Sequence, residues 1–272
     1  MIDRLIKLGL GFYMFLAFAF IFAPFVTMIV FAFNESRFPY LPWQGFSLTW
    51  FSALSDPQVI GVIKNSLFVA TASAAIATPL GCAAAYFVNR WEFPGKNAYI
   101  AFIVAPPCIP LVILALIMLI YFRELGLTKS LFSVVLAHVV LTAPFAFGIM
   151  RLRLNDLDPN LEQAAWNLGA NEWHAIRTVV LPQASAAVAA AFLLSMVVSW
   201  DEFIVAWLVS GIEVTLPVYL WVKFQGQISA HVNAIGTLAF GVSISVVILA
   251  EFLIFRAGKK YRQDFKRRYE TH

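Results

Sequence analysis

Six long apolar runs divide this chain, and each is long enough to cross a lipid bilayer as a helix. A spanning helix needs about 20 residues, at about 1.5 Å per residue. The runs cover residues 9–33, 65–88, 98–122, 131–150, 186–208 and 233–255. They must be helical, because lipid offers no partner to the backbone groups of an exposed strand. The sequence therefore predicts an all-α polytopic membrane protein with six transmembrane helices.

The composition agrees with a membrane protein and excludes several other classes. Hydrophobic residues make up 61% of the 272 residues and charged residues only 12%, about half the charged share of soluble domains. Cys82 and Cys108 lie in apolar runs and are interpreted as packed core residues, not as a disulfide or metal site. The sequence contains no metal-ligand spacing, no nucleophile–base pair and no Gly-Lys-Ser/Thr phosphate loop. We therefore expect no catalytic residue, no metal and no cofactor in this chain itself.

Lys and Arg are unequally divided between the two sides of the predicted membrane. Fourteen of the nineteen lie on the side of both termini and five on the other, and such a cationic excess marks the cytoplasmic side. Both termini, a polar segment at 156–182 and a basic tail at 257–272 are therefore predicted to be cytoplasmic. The tail would also suit an anionic lipid surface or nucleic acid, but topology is the preferred interpretation.

The predicted spans differ in their residue types. The second and fifth are rich in Ala, Ser and Gly, which let helix backbones approach closely, so we expect them inside the bundle. The third contains Pro106, Pro107 and Pro110, which predict a bend or break. The first is rich in aromatic residues and is expected to face lipid.

The polar segment at 156–182 has the pattern of a helix, a turn and a second helix. Residues 161–168 favour helix, Gly169 permits a tight turn, and Asn171 suits the cap of a helix that begins at Glu172. Pro182 is expected to end this second helix and to begin the fifth span. Such a segment can bind a protein partner or lie flat on lipid headgroups, and these features alone do not distinguish the two.

The spacing within this segment resembles the signature of ABC importer permeases. That signature reads Glu-Ala-Ala, three residues, Gly, nine residues, Ile, one residue, Leu-Pro. Here the Gln-Ala-Ala triplet at 163–165 is followed at the same spacing by Gly169, Val179 and the Leu-Pro pair at 181–182. Gln163 stands where the signature has Glu, and the adjacent Glu162 is expected to take over its capping or contact role.

The whole chain resembles the spermidine and putrescine group of these permeases, with further matching stretches at 33–36 (Phe-Asn-Glu-Ser) and 199–203 (Ser-Trp-Asp-Glu-Phe). The resemblance implies a type I ABC importer permease fold, as a single transmembrane domain in lipid of the bacterial inner membrane, with no nucleic acid partner. It implies as partners a second permease, two ATPase subunits that hold ATP and Mg²⁺, and a periplasmic solute-binding protein. It also implies that the ATPase contacts a set of residues in the polar segment: Glu162, Gln163, Ala164, Ala165, Gly169, Trp173, His174, Leu181 and Pro182.

Two adjacent acids, Asp201 and Glu202, lie in the fifth apolar run, about 20 Å from its cytoplasmic start. Acids within a membrane are costly and usually functional. We predict that they line a substrate path together with Trp200 and Trp207, since aromatic rings attract ammonium groups. Asp201 is preferred, because adjacent side chains on a helix point about 100° apart. The alternatives are a hydrogen-bond network, a contact with His138, a cation on the partner permease, or the cap of a broken helix.

The sequence thus predicts the permease subunit of a polyamine importer driven by ATP hydrolysis on partner subunits. The same machine for another solute, such as an opine, an amino-acid derivative or a metal ion, is the first alternative. An ion-coupled secondary transporter is the alternative from a different class. It would need coupling groups in several spans and an internal repeat, and only Asp201 and Glu202 offer such groups.

Overall fold

The structure, a computed structural model, describes residues 2–38, 40–127, 129–158, 160–226 and 230–269, without the side chains of 2, 3, 5 and 253–269. Helices account for nearly all regular structure in these ranges, where a single bridge between Asn34 and Phe46 is the one β pairing. The all-α prediction is confirmed. The helices described are α1 (Ile2–Ala32), α2 (Pro57–Arg90), α3 (Lys96–Val104), α4 (Leu111–Glu124), α5 (Leu131–Asn155), α6 (Asn160–Asn167), α7 (Glu172–Ala175), α8 (Leu181–Asp201), α9 (Ile204–Val209), α10 (Leu216–Gly226) and α11 (Ala230–Tyr269).

Five helical stretches in the described part of the chain are long and apolar enough to cross a membrane. They are Ile6–Ala32, Pro57–Arg90, Leu131–Asn155, Glu172–Asp201 and Ala230–Phe252. Each corresponds to one of the six predicted runs. The basic tail predicted at 257–272 lies outside the residues whose side chains are described.

The third predicted run, 98–122, is two helices instead of one. α3 ends at Val104, a 3₁₀ turn covers Pro106–Cys108, and α4 begins at Leu111. Proline has no N–H to donate and its ring collides with the preceding helical turn, so three prolines so close together interrupt the helix. The predicted break is confirmed.

The chain forms two compact units. The first comprises Met1–Ile60 and Tyr219–Val242, and the second comprises Gly61–Val218 and Ser243–His272. In the first unit the most apolar stretch of α1 has 0% of its residues buried, as expected for a helix that faces lipid. The rings of Phe25 and Phe240 stack at 4.6 Å between centroids and pack α1 against α11.

The second unit has a closely packed interior, and small residues create it. Ala74 and Ala85 of α2 and Ala191 of α8 are fully buried. A Cβ on Gly81 would lie 2.6 Å from the carbonyl oxygen of Ala143 in α5, so only glycine fits there. Small residues of both spans are therefore buried as predicted, although the most apolar stretches of these two spans are only 39% and 28% buried.

The short helix α9 is held in this interior by α5. Val205, Ala206 and Val209 of α9 form one buried apolar cluster with Val134 and Ala137 of α5. Each of these side chains is small or β-branched, so the two helices can pack closely. This contact fixes the chain just after the acids at 201 and 202.

Candidate functional site

The fifth apolar run breaks at the two acids. α8 ends at Asp201, Glu202 is extended with φ −71° and ψ 126°, and α9 begins at Ile204. The prediction of one continuous span over 186–208 is therefore wrong. No proline or glycine lies at the break, which is instead accompanied by contacts of the Glu202 side chain.

Glu202 caps the helix that follows the break. The backbone N–H groups of Val205 and Ala206 donate to its two carboxylate oxygens over 2.9 and 3.0 Å. The first N–H groups of a helix have no partner within the helix, and a negative charge there also interacts favourably with the helix dipole. One of the alternatives stated above, the cap of a broken helix, is thus what Glu202 does.

His138 of α5 connects the cap to the end of α8. Its Nδ1 lies 2.7 Å from the Ser199 hydroxyl, and its Nε2 lies 3.2 Å from the second carboxylate oxygen of Glu202. His138 is fully buried and Glu202 is 8% exposed. A contact with His138, another of the alternatives stated above, is thus present and involves Glu202. The side chains of His138, Ser199 and Glu202 thus form one buried group of contacts at the break.

Asp201 has different surroundings from its neighbour. Its side chain is exposed in this chain, and its described hydrogen bond is accepted from the Ser243 hydroxyl over 2.9 Å. Within the described residues no Lys, Arg or His forms an ion pair with it. Asp201 is therefore the acid of the pair that can still attract a cation.

The two tryptophans also differ. Trp200 is 4% exposed and belongs to the interior, whereas Trp207 is 50% exposed. The Trp207 ring stacks on Phe203 with centroids 6.0 Å apart and planes 17° apart. The four residues predicted to line a path are thus not gathered at one surface. Only Asp201 and Trp207 lie at the surface, and their part in a substrate path stays a prediction.

The polar segment at 156–182 folds as a helix, a tight turn and a second helix. α6 ends at Asn167, and Gly169 follows with φ +87°. The N–H of Ala170 donates to the Ala165 carbonyl over 3.0 Å, which is the hydrogen bond of a glycine-terminated helix end. Asn171 then caps α7 by accepting from the His174 N–H over 2.8 Å. The predicted turn and cap are both confirmed.

Pro182 does not end the second helix, which corrects the prediction made for it. Residues Glu172–Asp201 form one continuous stretch, because a π-helical turn at Ile176–Val180 joins α7 to α8. In that turn the Leu181 N–H donates to the Ile176 carbonyl, five residues earlier. A π turn is wider than an α turn, which relieves the crowding that a proline ring otherwise creates.

The residues predicted to meet an ATPase differ in their exposure. Glu162 turns inward, where its carboxylate oxygen accepts from the Tyr86 hydroxyl over 2.9 Å and lies 3.3 Å from Arg90. Ala165 is partly exposed. The other predicted contact residues are exposed: Gln163, Ala164, Gly169, Trp173, His174, Leu181 and Pro182.

Several groups that contact one another in the structure carry no direct signal in the sequence. In the sequence Arg90 is one of the fourteen cationic residues on the cytoplasmic side, and no motif includes Tyr86 or Trp166. Arg90 and Tyr86 are four residues apart and so share one face of α2, which is visible in the sequence. The contact of that face with α6 is not, because it joins residues more than seventy positions apart.

Comparison with known proteins places this arrangement in a family. The model of the family described as binding-protein-dependent transport system inner membrane component matches residues 77–259. That range contains both the polar segment and the acids. The chain belongs to this family. It is accordingly a membrane component of a transporter and not an enzyme, and it is a multi-pass protein of the inner membrane.

Two curated relatives cover nearly the whole chain. The spermidine/putrescine transport system permease protein PotC of Escherichia coli (strain K12) is 31% identical over 268 residues, which is 98% of this chain and 100% of PotC. The putrescine transport system permease protein PotI of the same organism is 30% identical over 261 residues, which is 93% of this chain and 92% of PotI.

Solved structures show the same fold. A bacterial ABC transporter involved in the import of alginate matches with a TM-score of 0.72 and 20% identity, over 93% of this chain and 96% of the matched chain. The MetNI methionine ABC transporter matches with a TM-score of 0.62 and 19% identity, over 74% and 95%. The chain therefore has the type I ABC importer permease fold.

Proposed function

We propose that this chain is one of two permease subunits of an ABC importer that moves polyamines inward across the inner membrane. The whole chain would act as one transmembrane permease domain of six spans, with α3 and α4 together forming the third. Both termini, including the tail at 257–272, would be cytoplasmic, which agrees with the cationic excess on that side.

The observation that carries the substrate class is the exposed Asp201 carboxylate. A carboxylate within a membrane needs a partner, and the described residues supply it with one hydroxyl and no cation. A diamine or triamine would bring the missing positive charge. PotC and PotI, whose names state spermidine and putrescine transport, are at least 30% identical to this chain, which supports the same substrate class here.

The partners follow from the family. A periplasmic binding protein would deliver the polyamine, and two ATPase subunits would hold ATP and Mg²⁺ and dock on the polar segment, which acts as the coupling loop. One related alginate transporter structure includes a substrate-bound periplasmic protein, which supports the first of these partners. Gly169 and the exposed Ala164 would let the ATPase approach the backbone closely.

The test is transport by the reconstituted complex. The chain is assembled in proteoliposomes with a partner permease, an ATPase and a binding protein from the same organism, and ATPase stimulation and uptake are measured with putrescine, spermidine and amino acids. Stimulation and uptake with a polyamine support the proposal. Stimulation only by an uncharged solute would support an importer but contradict polyamines as its substrate.

The role of Asp201 is tested in the same complex. Asp201→Asn removes the charge with little change in size, and uptake should fall while the complex still assembles. Glu213→Gln is the matched control, because Glu213 is also an exposed acid in the same unit. Normal uptake by Asp201→Asn would contradict a direct role of this carboxylate.

A further inference from the structure

Two pairs of side chains join the polar segment to the membrane helix α2. Tyr86 and Arg90 are four residues apart on α2, and Glu162 and Trp166 are four residues apart on α6, so each pair shares one helix face. The Tyr86 hydroxyl donates to Oε2 of Glu162 over 2.9 Å, and Nη2 of Arg90 lies 3.3 Å from the same oxygen. The Arg90 guanidinium lies over the Trp166 ring at 4.5 Å from its centroid. We call these four residues the α2–α6 cluster.

The α2–α6 cluster is more than a surface ion pair. The side chains of Arg90 and Glu162 are only 18% and 12% exposed, so solvent and salt screen their attraction less than on an open surface. Arg90 uses both its charge and its planar face, a combination that lysine cannot reproduce. The cluster therefore fixes the position of α6 against the end of α2.

The end of α2 is in turn fixed in the interior of the second unit. Ala85 and Val88 are buried in one apolar cluster with Phe147 and Met150 of α5. A displacement of α6 that carries Arg90 with it therefore acts on tightly packed membrane helices, which respond by moving as bodies and not by deforming.

We propose that Arg90 is a positioning residue that transmits the displacement of the polar segment to α2, with Glu162 as its partner inside this chain and not as a contact to the ATPase. This inference rests on the proposed function, because it needs a complex in which ATP hydrolysis drives transport. It assigns to Arg90 a part in coupling that the signature spacing does not include.

The test compares Arg90→Gln, Glu162→Gln and the double variant in proteoliposomes that contain the whole complex. The measured quantity is polyamine uptake per ATP hydrolysed. Each single variant should lower this ratio by roughly threefold or more, within the range seen for residues on a coupling route. The double variant should be no worse than either single variant, because both remove the same interaction.

Two controls separate coupling from folding. Arg151→Gln removes a positive charge from the end of α5, where Arg151 lies over the Phe147 ring at 5.9 Å and outside the cluster; its ratio should equal that of the wild type. Co-purification of the partner subunits reports assembly. If Arg90→Gln fails to assemble, Arg90→Lys, which keeps the charge and loses the planar group, should assemble with a reduced ratio.

Two results would overturn the inference. A normal ratio for the assembled Arg90→Gln or Arg90→Lys complex, beside a reduced ratio for Glu162→Gln, would mean that Glu162 contacts the ATPase directly. Additive losses in the double variant would mean that the two residues act separately. Failure of the proposed function looks different, because the wild-type complex itself would then not transport polyamines.

Discussion

Of the two adjacent acids, Glu202 should matter mainly for the stability of the protein and Asp201 mainly for transport. Glu202→Ala takes away the acceptor of two backbone N–H groups and the carboxylate that lies 3.2 Å from His138. A hydrogen bond to a charged group contributes about 1.5–3 kcal/mol, and Glu202 accepts two of them from backbone N–H groups. Because both bonds are lost with one carboxylate and such losses are not fully additive, we expect a total loss of about 3–5 kcal/mol.

Asp201→Asn provides the comparison. Asp201 is exposed, and the amide oxygen of Asn can still accept the hydrogen bond from Ser243. An exposed substitution of this kind changes the free energy of unfolding by about 0.5 kcal/mol or less. The charge is lost nonetheless, so uptake of a cationic substrate should fall.

Two measurements on the same preparations test this pair. The thermal midpoint in detergent should fall by roughly 6–20 °C for Glu202→Ala, at about 2–4 °C per kcal/mol, and should stay near the wild-type value for Asp201→Asn. Uptake at a temperature where both variants are folded should fall for Asp201→Asn. Glu202→Gln keeps one acceptor oxygen and should lie between Glu202→Ala and the wild type in its midpoint.

The roles assigned to Glu202 and Asp201 are contradicted if the effects of the two variants on stability and uptake are reversed. A stable Glu202→Ala variant that has lost uptake would show that Glu202 meets the substrate. An Asp201→Asn variant as unstable as Glu202→Ala would show that Asp201 is a structural group.

Two pairs of glycine variants test the turn and the helix packing. Gly169 and Gly126 both follow a helix with positive φ, +87° and +71°, so alanine at either position costs about 1–2 kcal/mol. Only Gly169→Ala should lower uptake per ATP, since only Gly169 lies in the polar segment; an equal loss for Gly126→Ala would point to backbone strain alone. Gly81→Ala should destabilise the protein by about 1–3 kcal/mol, because the added Cβ would collide with Ala143. Gly148 has no atom within 4 Å of an added Cβ, so Gly148→Ala should stabilise the protein by up to about 1 kcal/mol. Equal thermal midpoints for these last two variants would contradict the close contact.

Structural features that are caused by residues close together in the chain can be predicted from the sequence. The apolar runs gave the long helices because length and hydropathy decide what crosses a bilayer. The prolines at 106, 107 and 110 gave the break between α3 and α4, and Gly169 and Asn171 gave the turn and the cap. Each of these features depends on residues within a few positions of one another.

Features that depend on distant contacts are not visible in the local sequence. At the break after Asp201 the local sequence offers the Glu202 cap only as one of several alternatives, and the contact that accompanies the cap joins Glu202 to His138, more than sixty residues earlier in the chain. Pro182 by itself predicts the end of a helix, but the π turn at Ile176–Val180 accommodates it. In both places a contact or a backbone irregularity overrides the local preference.

The position of the acid in the signature explains why Glu162 and Gln163 have different surroundings. Adjacent residues on a helix point about 100° apart, so an acid one position earlier than the signature's Glu faces another direction. Gln163, at the signature position, is exposed, whereas Glu162 faces Tyr86 and Arg90 of α2. Glu162, which is expected to take over the capping or contact role of the signature Glu, therefore points toward α2, and that role stays a prediction. A match in spacing fixes the backbone geometry of the segment, but the direction of each side chain decides which partner it can meet.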